Sequence, residues 1–346
     1  MKIYKNLFND IISAENLFSA WDKFKNGKRN KKDVQHFEWN LEENIFKLHR
    51  ELKNKTYKHS SYISFNISDP KPRNIHKAQV RDRVLHHAIF QVLNPILEAG
   101  FISASFSCRV GYGTHKGVDY LQDILRKVSK NGRVSCSALK CDVKKFFDTI
   151  DHNVLLNILK KKIKDDDTIW LLNQTISSFS SNYSLLGINK GVPIGNLTSQ
   201  LFANVYMNEL DRFMKQDLRV KYYLRYTDDF LILSESKEYL ENIVPEIINF
   251  LEENLLLRIH EEKTKIRKTS QGIDFLGYVV FQKYRLVRTK TKRRMFKKFE
   301  SKIKEYKQGA ISKNSLLQSL QSYLGFLCHA NTYEIKHYLK NRFWKS

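Results

Sequence analysis

Two adjacent carboxylates lie between two apolar, strand-like runs, and this pattern constrains the fold more than any other feature of the chain. Tyr226-Thr227-Asp228-Asp229 follows Tyr222-Tyr223-Leu224 and precedes Phe230-Leu231-Ile232-Leu233. These residue types predict a strand, a tight turn and a second strand. Two like charges side by side repel unless a cation lies between them. A divalent metal ion with oxygen ligands is the natural candidate, and a solvated hairpin turn is the alternative.

A metal site of this kind needs a further carboxylate on a neighbouring strand. Asp142 meets the requirement because it ends the short, mostly apolar run Ala138-Leu139-Lys140-Cys141. A strand-end cap is the alternative interpretation of Asp142. Paired carboxylates that hold two Mg²⁺ ions are typical of enzymes that transfer nucleotidyl groups.

These residues carry a resemblance to a known family. Asp142, Phe147 and the Tyr226–Asp229 segment resemble motifs A and C of reverse transcriptases. The segment 191–211 between them is similar to motif B in the form carried by diversity-generating retroelement reverse transcriptases. The resemblance implies an α+β right-hand polymerase with fingers, a palm built on an antiparallel sheet, and a thumb.

Motif B also has a direct physical interpretation. Gly191, Pro193 and Gly195 predict a rigid turn whose missing side chains let the backbone approach a ligand. We expect the side chain of Asn196 or Thr198 to cap the following helix. That helix directs three apolar residues toward the palm: Leu201, Val205 and Leu210.

Other blocks follow in the order that the resemblance implies. Lys71, Arg73 and Arg81 fall in the fingers region that holds the incoming triphosphate, and arginine suits phosphate because its planar fork makes paired hydrogen bonds. Each of them is alternatively a solvated surface charge. A glycine-interrupted loop, 105–117, carries Arg109 and Lys116, which are candidates for contacts to template or nucleotide phosphate.

Two blocks follow the Asp pair. Leu255 to Lys265 is interpreted as a strand entering a loop and resembles motif D, in which Lys263 is a candidate to protonate or neutralise the leaving pyrophosphate. Phe275-Leu276-Gly277-Tyr278 resembles motif E, the primer grip, and Gly277 permits a tight hairpin. An exposed lysine and a plain hairpin are the alternatives.

The resemblance implies a mechanism. Asp142 and Asp228 hold two Mg²⁺ ions, for which Mn²⁺ is a substitute, while Asp229 supports the site and the backbone oxygen of Val143 adds a ligand. Phe147 is the candidate steric gate against the ribose 2′-hydroxyl, with an aromatic core residue as the alternative. Because neighbouring residues of a strand face opposite sides, Phe146 is expected to pack in the core while Phe147 acts as the gate.

Charge supports a polyanionic partner. Sixty Lys plus Arg against thirty-six Asp plus Glu give a net charge of +24, which favours phosphate backbones. From Lys283 to Lys307, twelve basic and two acidic residues coincide with apolar positions at helical spacing. This segment is assigned to the thumb. Its candidates for template or primer contacts are Lys292, Arg293 and Arg294. Further candidates for such contacts lie outside the thumb, at Gly195, Asn196 and Gly277. No run approaches the ~18 apolar residues of a membrane span.

The expected organisation is a helical N-terminal extension (1–59), fingers (60–102 and 151–190), palm (103–150 and 191–282) and thumb (283–346). The packing positions expected in the extension are Phe18, Trp21, Phe24, Phe37, Trp39 and Leu41. The four cysteines show no metal-ligand spacing, and the first residues lack the apolar core of a signal peptide, so a cytoplasmic protein is expected. Because the sequence ends after the thumb, we expect RNA removal and product insertion to fall to other enzymes.

The predicted function is RNA-directed DNA synthesis. The expected partners are a template or structured noncoding RNA, a DNA or RNA primer, the cDNA product and dNTPs. Gln200 belongs to the form of motif B found in retroelements that copy adenines unfaithfully, which implies mutagenic retrohoming with a small basic accessory protein. The alternatives are a defence-associated reverse transcriptase with its own noncoding RNA, and a noncatalytic RNA-binding or splicing-assistant protein. Thr227 stands where the retroelement group usually has methionine.

Overall fold

The computed structural model describes residues 2–68, 72–181 and 189–346. The helices are α1 (Leu7–Ile12), α2 (Ala14–Lys25), α3 (Lys32–Trp39), α4 (Leu41–Lys53), α5 (Val80–Glu98), α6 (Thr114–Val128), α7 (Phe146–Thr149), α8 (His152–Lys162), α9 (Asp166–Ile176), α10 (Leu197–Arg212), α11 (Lys237–Leu255), α12 (Thr289–Lys307), α13 (Lys313–Leu327) and α14 (Tyr333–Trp344). The strands are β1 (Ile63–Ile67), β2 (Arg73–Lys77), β3 (Ser137–Asp142), β4 (Tyr222–Tyr226), β5 (Asp229–Ser234), β6 (Lys265–Lys268), β7 (Ile273–Phe275), β8 (Tyr278–Val280) and β9 (Arg285–Val287).

The chain divides into two compact units. The first unit contains Met1–Arg109, Asp142–Arg219 and Pro245–Glu261, and the second contains Val110–Cys141, Val220–Val244 and Glu262–Ser346. Each unit is built from several chain segments. The division therefore separates some sequence neighbours, such as Cys141 in the second unit and Asp142 in the first.

The core of the first unit forms around two long helices. α5 packs against α2 and α10, because its apolar residues recur at helical spacing and are buried, among them Val84, Ala88 and Leu97. α10 is buried on nearly all sides, and its buried residues include Leu201, Val205 and Leu210, which the sequence predicts to face the palm. The antiparallel pair β1 and β2 belongs to the same unit.

The N-terminal segment is helical from α1 to α4, as the periodicity predicts. Trp21, Phe24 and Phe37 are buried. The prediction is wrong for Trp39, which is 87% exposed. Trp39 is the last residue of α3, and a residue at a helix end can turn away from the packed face without breaking the apolar stripe.

The second unit is built on two sheets. A four-stranded sheet has the order β4-β5-β3-β6, with β4 antiparallel to β5 and β3 antiparallel to β6. β7, β8 and β9 form a separate antiparallel sheet. α6 packs against β4, β5 and β8. The antiparallel sheet expected for the palm is confirmed.

The basic segment after the second sheet is helical. α12 buries Met295, Phe299 and Ile303, which confirms the helical spacing of its apolar residues. Lys283, the predicted start of the thumb, precedes β9, which pairs with β8. The helical part of this region therefore begins at Thr289, because the preceding residues still belong to the sheet.

Candidate active site

The Asp pair lies at the predicted strand-turn-strand apex. Tyr226 at the end of β4 pairs with Asp229 at the start of β5, so Thr227 and Asp228 form a two-residue turn. Thr227 has a φ of 57°. Two-residue hairpins with positive φ at the first turn position match the twist of their strands, but a β-branched residue is strained there. The structure therefore stores backbone strain next to Asp228.

A buried arginine stabilises this turn. Arg225 has 0% relative exposure, and its guanidinium donates a hydrogen bond to the carbonyl oxygen of Thr227 at 2.9 Å. A guanidinium is tolerated inside a protein when its donors find acceptors. The sequence gives one signal for this role, a charged residue at an inward-facing position of an otherwise apolar strand.

A lysine on the next strand neutralises the second carboxylate. Lys140 on β3 forms an ion pair with Asp229 on β5 at 3.1 Å and donates to the backbone oxygen of Asp274 at 3.0 Å. Asp142 is the last residue of β3. It follows Lys140 by two residues, so both side chains extend from the same face of that strand. In the sequence alone, nothing distinguishes Lys140 from the other basic residues.

The backbone after Asp142 is fixed by a short antiparallel bridge. Val143 pairs with Ile259, and the bridge hydrogen bonds run from His260 N to Asp142 O at 2.7 Å and from Lys144 N to Arg258 O at 2.8 Å. The flanking residues make both bonds, so the N–H and C=O of Val143 point away from Ile259. This orientation fits the predicted use of the Val143 carbonyl as a metal ligand.

The donor set matches the metal that the sequence predicts. Carboxylate and carbonyl oxygens are the ligands that Mg²⁺ prefers. In the described parts of the chain, no three His, Cys, Asp or Glu side chains form a cluster that could hold a metal ion. Mg²⁺ is usually bound by one or two carboxylates together with substrate phosphates, so it does not require such a cluster.

Lys263 lines a pocket in the second unit. It ends a short 3-10 turn, Glu261–Lys263, just before β6. The pocket has a volume of about 260 Å³, and Lys140, Lys265 and Arg267 also line it. The structure thus brings Lys263 to the same pocket as the lysine that pairs with Asp229. The prediction of a strand that enters a loop after Leu255 is wrong, because Leu255 is the last residue of α11, Ile259 forms only an isolated bridge, and the next strand, β6, begins at Lys265.

The motif B turn is attached to motif A through the backbone. Gly191 N donates to Ile150 O, and Val192 N donates to Phe147 O, both at 2.8 Å. Gly191 has a φ of 98°, and a Cβ there would lie 2.8 Å from the Cβ of Ser181. Glycine is therefore required at this position for both conformation and space. Gly195 is exposed and also has a positive φ, 128°.

The predicted helix cap is wrong. Asn196 is the N-cap residue of α10, but its side chain makes no capping hydrogen bond. The amide instead donates to Nε2 of His86 at 3.0 Å and to the Tyr62 hydroxyl at 3.2 Å. Thr198 lies inside the helix, and its hydroxyl bonds to Nδ1 of His86 at 2.7 Å. A buried partner on α5 has displaced the local cap.

His86 is the centre of this buried network. An amide nitrogen only donates, so Nε2 of His86 accepts from Asn196, and Nδ1 therefore donates to Thr198. Burial lowers the pKa of His86 well below its usual range, and the neighbouring His59 and His87 lower it further. The neutral ring that these bonds require is therefore the favoured form. The role of His86 was not predicted, because an alternating polar and apolar helix gives no sign of a distant partner.

Phe146 and Phe147 differ as predicted, but for another reason. Phe146 is buried at 2% relative exposure, whereas Phe147 is half-buried. They lie in the short helix α7 and not on a strand, so the strand argument for their difference is wrong. Gln200 is exposed in the first turn of α10. The gate role of Phe147 and the nucleotide role of Gln200 stay predictions.

The predicted fingers residues have different environments. Lys71 lies outside the described residues. Arg73 is exposed on β2. Arg81 forms an ion pair with Glu51 at 2.6 Å and donates to Lys58 O at 2.7 Å, so its guanidinium links α5 to the N-terminal helices.

Arg109 is used internally. Its guanidinium contacts Glu98 at 2.9 Å and donates to two backbone oxygens, of Ile102 and Ser105, at 2.8 Å. Its side chain is 7% exposed, so Arg109 braces the loop that follows α5. Lys116 is exposed on α6, with its ammonium 5.8 Å from the centre of the Tyr112 ring.

The remaining predicted residues belong to the second unit. Leu276 and Gly277 form the two-residue turn between β7 and β8, with φ values of 49° and 91°, and Gly277 O accepts from Arg288 N at 3.0 Å. The expected tight hairpin is confirmed. On α12, Arg293 and Arg294 are exposed and Lys292 is partly exposed.

A comparison with known families gives the chain its place. The protein-family model described as reverse transcriptase (RNA-dependent DNA polymerase) matches residues 58–280 of the chain. The chain belongs to the reverse transcriptase family. The match includes the Asp142 segment, the motif B turn and the Asp pair.

Individual relatives are distant. Protein YkfC of Escherichia coli (strain K12) is 27% identical over 250 residues, which cover 62% of this chain and 65% of that protein. Group II intron-encoded protein LtrA of Lactococcus lactis subsp. cremoris is 24% identical over 304 residues, covering 68% of this chain and 49% of LtrA. The chain thus spans less than two thirds of each of these relatives.

The fold is also that of a solved polymerase. The structure of telomerase from Candida albicans, in complex with a fragment of telomeric RNA, aligns with a TM-score of 0.51 at 13% identity and covers 81% of this chain and 58% of that one. This likeness supports the right-hand polymerase fold. In the described residues, no helix is long and apolar enough to cross a membrane.

Proposed function

We propose that this reverse transcriptase family member is an active RNA-directed DNA polymerase that extends a DNA or RNA primer with dNTPs on a template RNA. The observation that carries the proposal is the family match over residues 58–280 together with the Asp pair in the strained turn between β4 and β5. The +24 net charge supports a nucleic-acid partner. All three carboxylates that the chemistry needs are present in the sequence.

In this proposal, Asp142, Asp228 and Asp229, with the carbonyl of Val143, hold Mg²⁺, and Mn²⁺ serves as a substitute. Two bound ions would activate the primer 3′-hydroxyl and neutralise the leaving pyrophosphate. Lys140 partly neutralises the charge of Asp229 through their ion pair. Because it shares a pocket with Lys140, Lys263 is suited to donate a proton to the leaving pyrophosphate.

Substrate selection is assigned to three residues. The half-buried ring of Phe147 is proposed to occupy the space of a ribose 2′-hydroxyl and so to favour deoxynucleotides. Gln200, exposed in the first turn of α10, is proposed to contact the nascent pair. The exposed Arg73 on β2 is proposed to contact the triphosphate.

For the biological role, we propose a diversity-generating retroelement with its template RNA and a small basic accessory protein. Motif B, including Gln200, supports this role, and a defence-associated enzyme with its own noncoding RNA is the alternative. The four cysteines all lie in the described residues and form no disulfide there, which fits a reducing compartment such as the cytoplasm.

A second candidate function is suggested by the relatives' names. These include the group II intron-encoded protein LtrA and the Nuclear intron maturase 3, mitochondrial, of Arabidopsis thaliana. A protein that assists splicing requires RNA binding but no nucleotidyl transfer, so it would tolerate the loss of Asp228.

Primer extension on a defined RNA template tests the proposal. The native chain is compared with Asp228→Asn, which removes the charge and keeps the shape, and the products are sequenced. Templated cDNA that disappears in the variant supports the polymerase, and excess misincorporation opposite adenine supports the retroelement role. If the native chain with RNA and accessory protein supplied makes no cDNA but binds RNA normally, the splicing-assistant function replaces it.

A further inference from the structure

A cationic pocket opens on the first unit. It has a volume of about 560 Å³, and its lining includes Lys144, Lys145, Lys190 and Arg258 together with the carboxylate of Glu252. None of the predicted metal ligands is among the described residues that line it. The pocket is therefore a concave site where four cations face one carboxylate.

Backbone hydrogen bonds hold the cations together from separate chain segments. Lys144 N donates to Arg258 O at 2.8 Å. The Thr149 hydroxyl donates to Lys145 O at 3.2 Å. The backbone of Lys190 forms an isolated antiparallel β-bridge with that of Asp151. Because the backbone positions are fixed, the four cationic side chains extend to the pocket from preset points of the chain.

The electrostatics of the pocket favour an anion. In the described residues, Lys144, Lys190 and Arg258 form no ion pair with a carboxylate, whereas other cations of this unit do, such as Lys161 with Glu209 at 3.0 Å. Like charges held close together repel, and a multivalent anion relieves that repulsion.

The backbone around the pocket is also strained. Lys145 and Leu256, which both line it, have a φ of 49° without being glycine. Non-glycine residues held in this region are strained and persist only where the surrounding structure over-determines them, often at ligand clamps. The same two residues place a cation and an apolar side chain at the pocket.

We propose that this pocket binds the di- or triphosphate group of a small molecule, with inorganic pyrophosphate and nucleoside triphosphates as the two sources. Lysine and arginine match phosphate oxygens, and the volume suits a nucleotide. The carboxylate of Glu252 would accept a hydrogen bond from a hydroxyl or amine of a nucleoside. Leu256 would offer the nucleoside an apolar surface. Because Lys144 directly follows Val143, an occupant would also fix the segment that carries two predicted metal ligands.

Binding to the full chain is measured by calorimetry in EDTA at physiological salt, with pyrophosphate, tripolyphosphate and ATP as separate probes. We expect saturable tripolyphosphate binding that weakens about fivefold or more in Lys144→Ala and in Lys190→Ala. Lys160→Ala, at an exposed position of α8 outside the pocket lining, is the matched control and should bind as the native chain does. Melting curves show that each variant is folded.

Two further variants separate this site from the metal site and the two ligand sources from each other. Asp228→Asn should abolish nucleotidyl transfer and leave tripolyphosphate binding unchanged, so failure of the proposed polymerase and failure of this site give different results. Glu252→Gln should tighten tripolyphosphate about twofold. If a nucleotide is the ligand, Glu252→Gln should weaken the binding of ATP. If pyrophosphate is the ligand, the variant should change the binding of ATP and of tripolyphosphate to the same extent.

Three results would overturn the proposal. They are no saturable binding of any probe, equal losses in Lys160→Ala and Lys144→Ala, and binding confined to an RNA oligonucleotide. The last result would assign the cations to nucleic acid.

Discussion

Replacing His86 with leucine tests whether the buried network positions the motif B turn. The substitution removes the acceptor for Asn196 and the donor for Thr198, whose side chains are 3% and 1% exposed. Each buried polar group left without its partner costs about 1–3 kcal/mol. Asn196 keeps its bond to Tyr62, so we expect a total loss of about 3 kcal/mol in the free energy of unfolding.

The assay combines urea denaturation with steady-state primer extension. Because Asn196 is the N-cap residue of α10 and follows the turn that contains Gly195, its displacement should raise the KM for dNTP about tenfold. A His86→Asn variant offers an amide near the Nδ1 position and should recover the Thr198 bond. A His86→Gln variant reaches the Nε2 position and should recover the Asn196 bond, and with it most of the KM.

His87→Leu is the matched control. His87 is the next residue of α5, and its ring packs against Phe24 and not against motif B. It should change stability and leave the KM for dNTP unaltered. The positioning role is refuted if His86→Leu loses less than about 1 kcal/mol, or if His86→Gln raises the KM as much as His86→Leu does.

Three further predictions concern the turn, the ion pair and pH. Thr227→Asn should raise the free energy of unfolding by about 1 kcal/mol in urea denaturation, since asparagine tolerates a φ of 57° better than a β-branched residue; a loss of stability would contradict the strain. Lys140→Met should lower the Mg²⁺ concentration for half-maximal extension about threefold, because it removes a cation 3.1 Å from Asp229, while Lys130→Met, at the exposed pair with Glu235, should not. Burial lowers the pKa of His87 to about 4 and also lowers that of His152. The unfolded chain therefore binds more protons as pH falls below about 6.5, and the urea midpoint should decrease from there toward pH 4; a constant midpoint would contradict the assignment.

Local pattern was enough to predict the elements that position the site. Strand-forming residues on both sides of Asp228 and Asp229 specify the hairpin, because two apolar, strand-like runs and the turn between them are encoded within a dozen residues. The helical spacing of Met295, Phe299 and Ile303 specified α12 for the same reason. Gly277 and its turn were likewise recognisable from adjacent residues.

Contacts between distant segments were not predictable in this way. His86 lies 110 residues from Asn196, and a sequence without its fold gives no sign that the amide would bond to a ring instead of capping α10. Arg109 was expected to contact template or nucleotide phosphate and instead braces a loop, and Lys140, to which the sequence assigned no role, pairs with Asp229. Trp39 shows the opposite error, since an aromatic residue at a helix end was expected to pack and is exposed.

The most direct test of nucleotidyl transfer by this chain is the single-turnover incorporation of one complementary dNTP into a primer annealed to RNA. The reaction is followed with Mg²⁺ for the native chain, Asp142→Asn, Asp228→Asn and Asp123→Asn, the last at an exposed position of α6. Rates that fall at least a hundredfold in the first two variants, with native-like RNA binding and a normal rate in Asp123→Asn, are the predicted result. Incorporation that persists in Asp228→Asn at the native rate would contradict the assignment of the Asp pair as the catalytic centre.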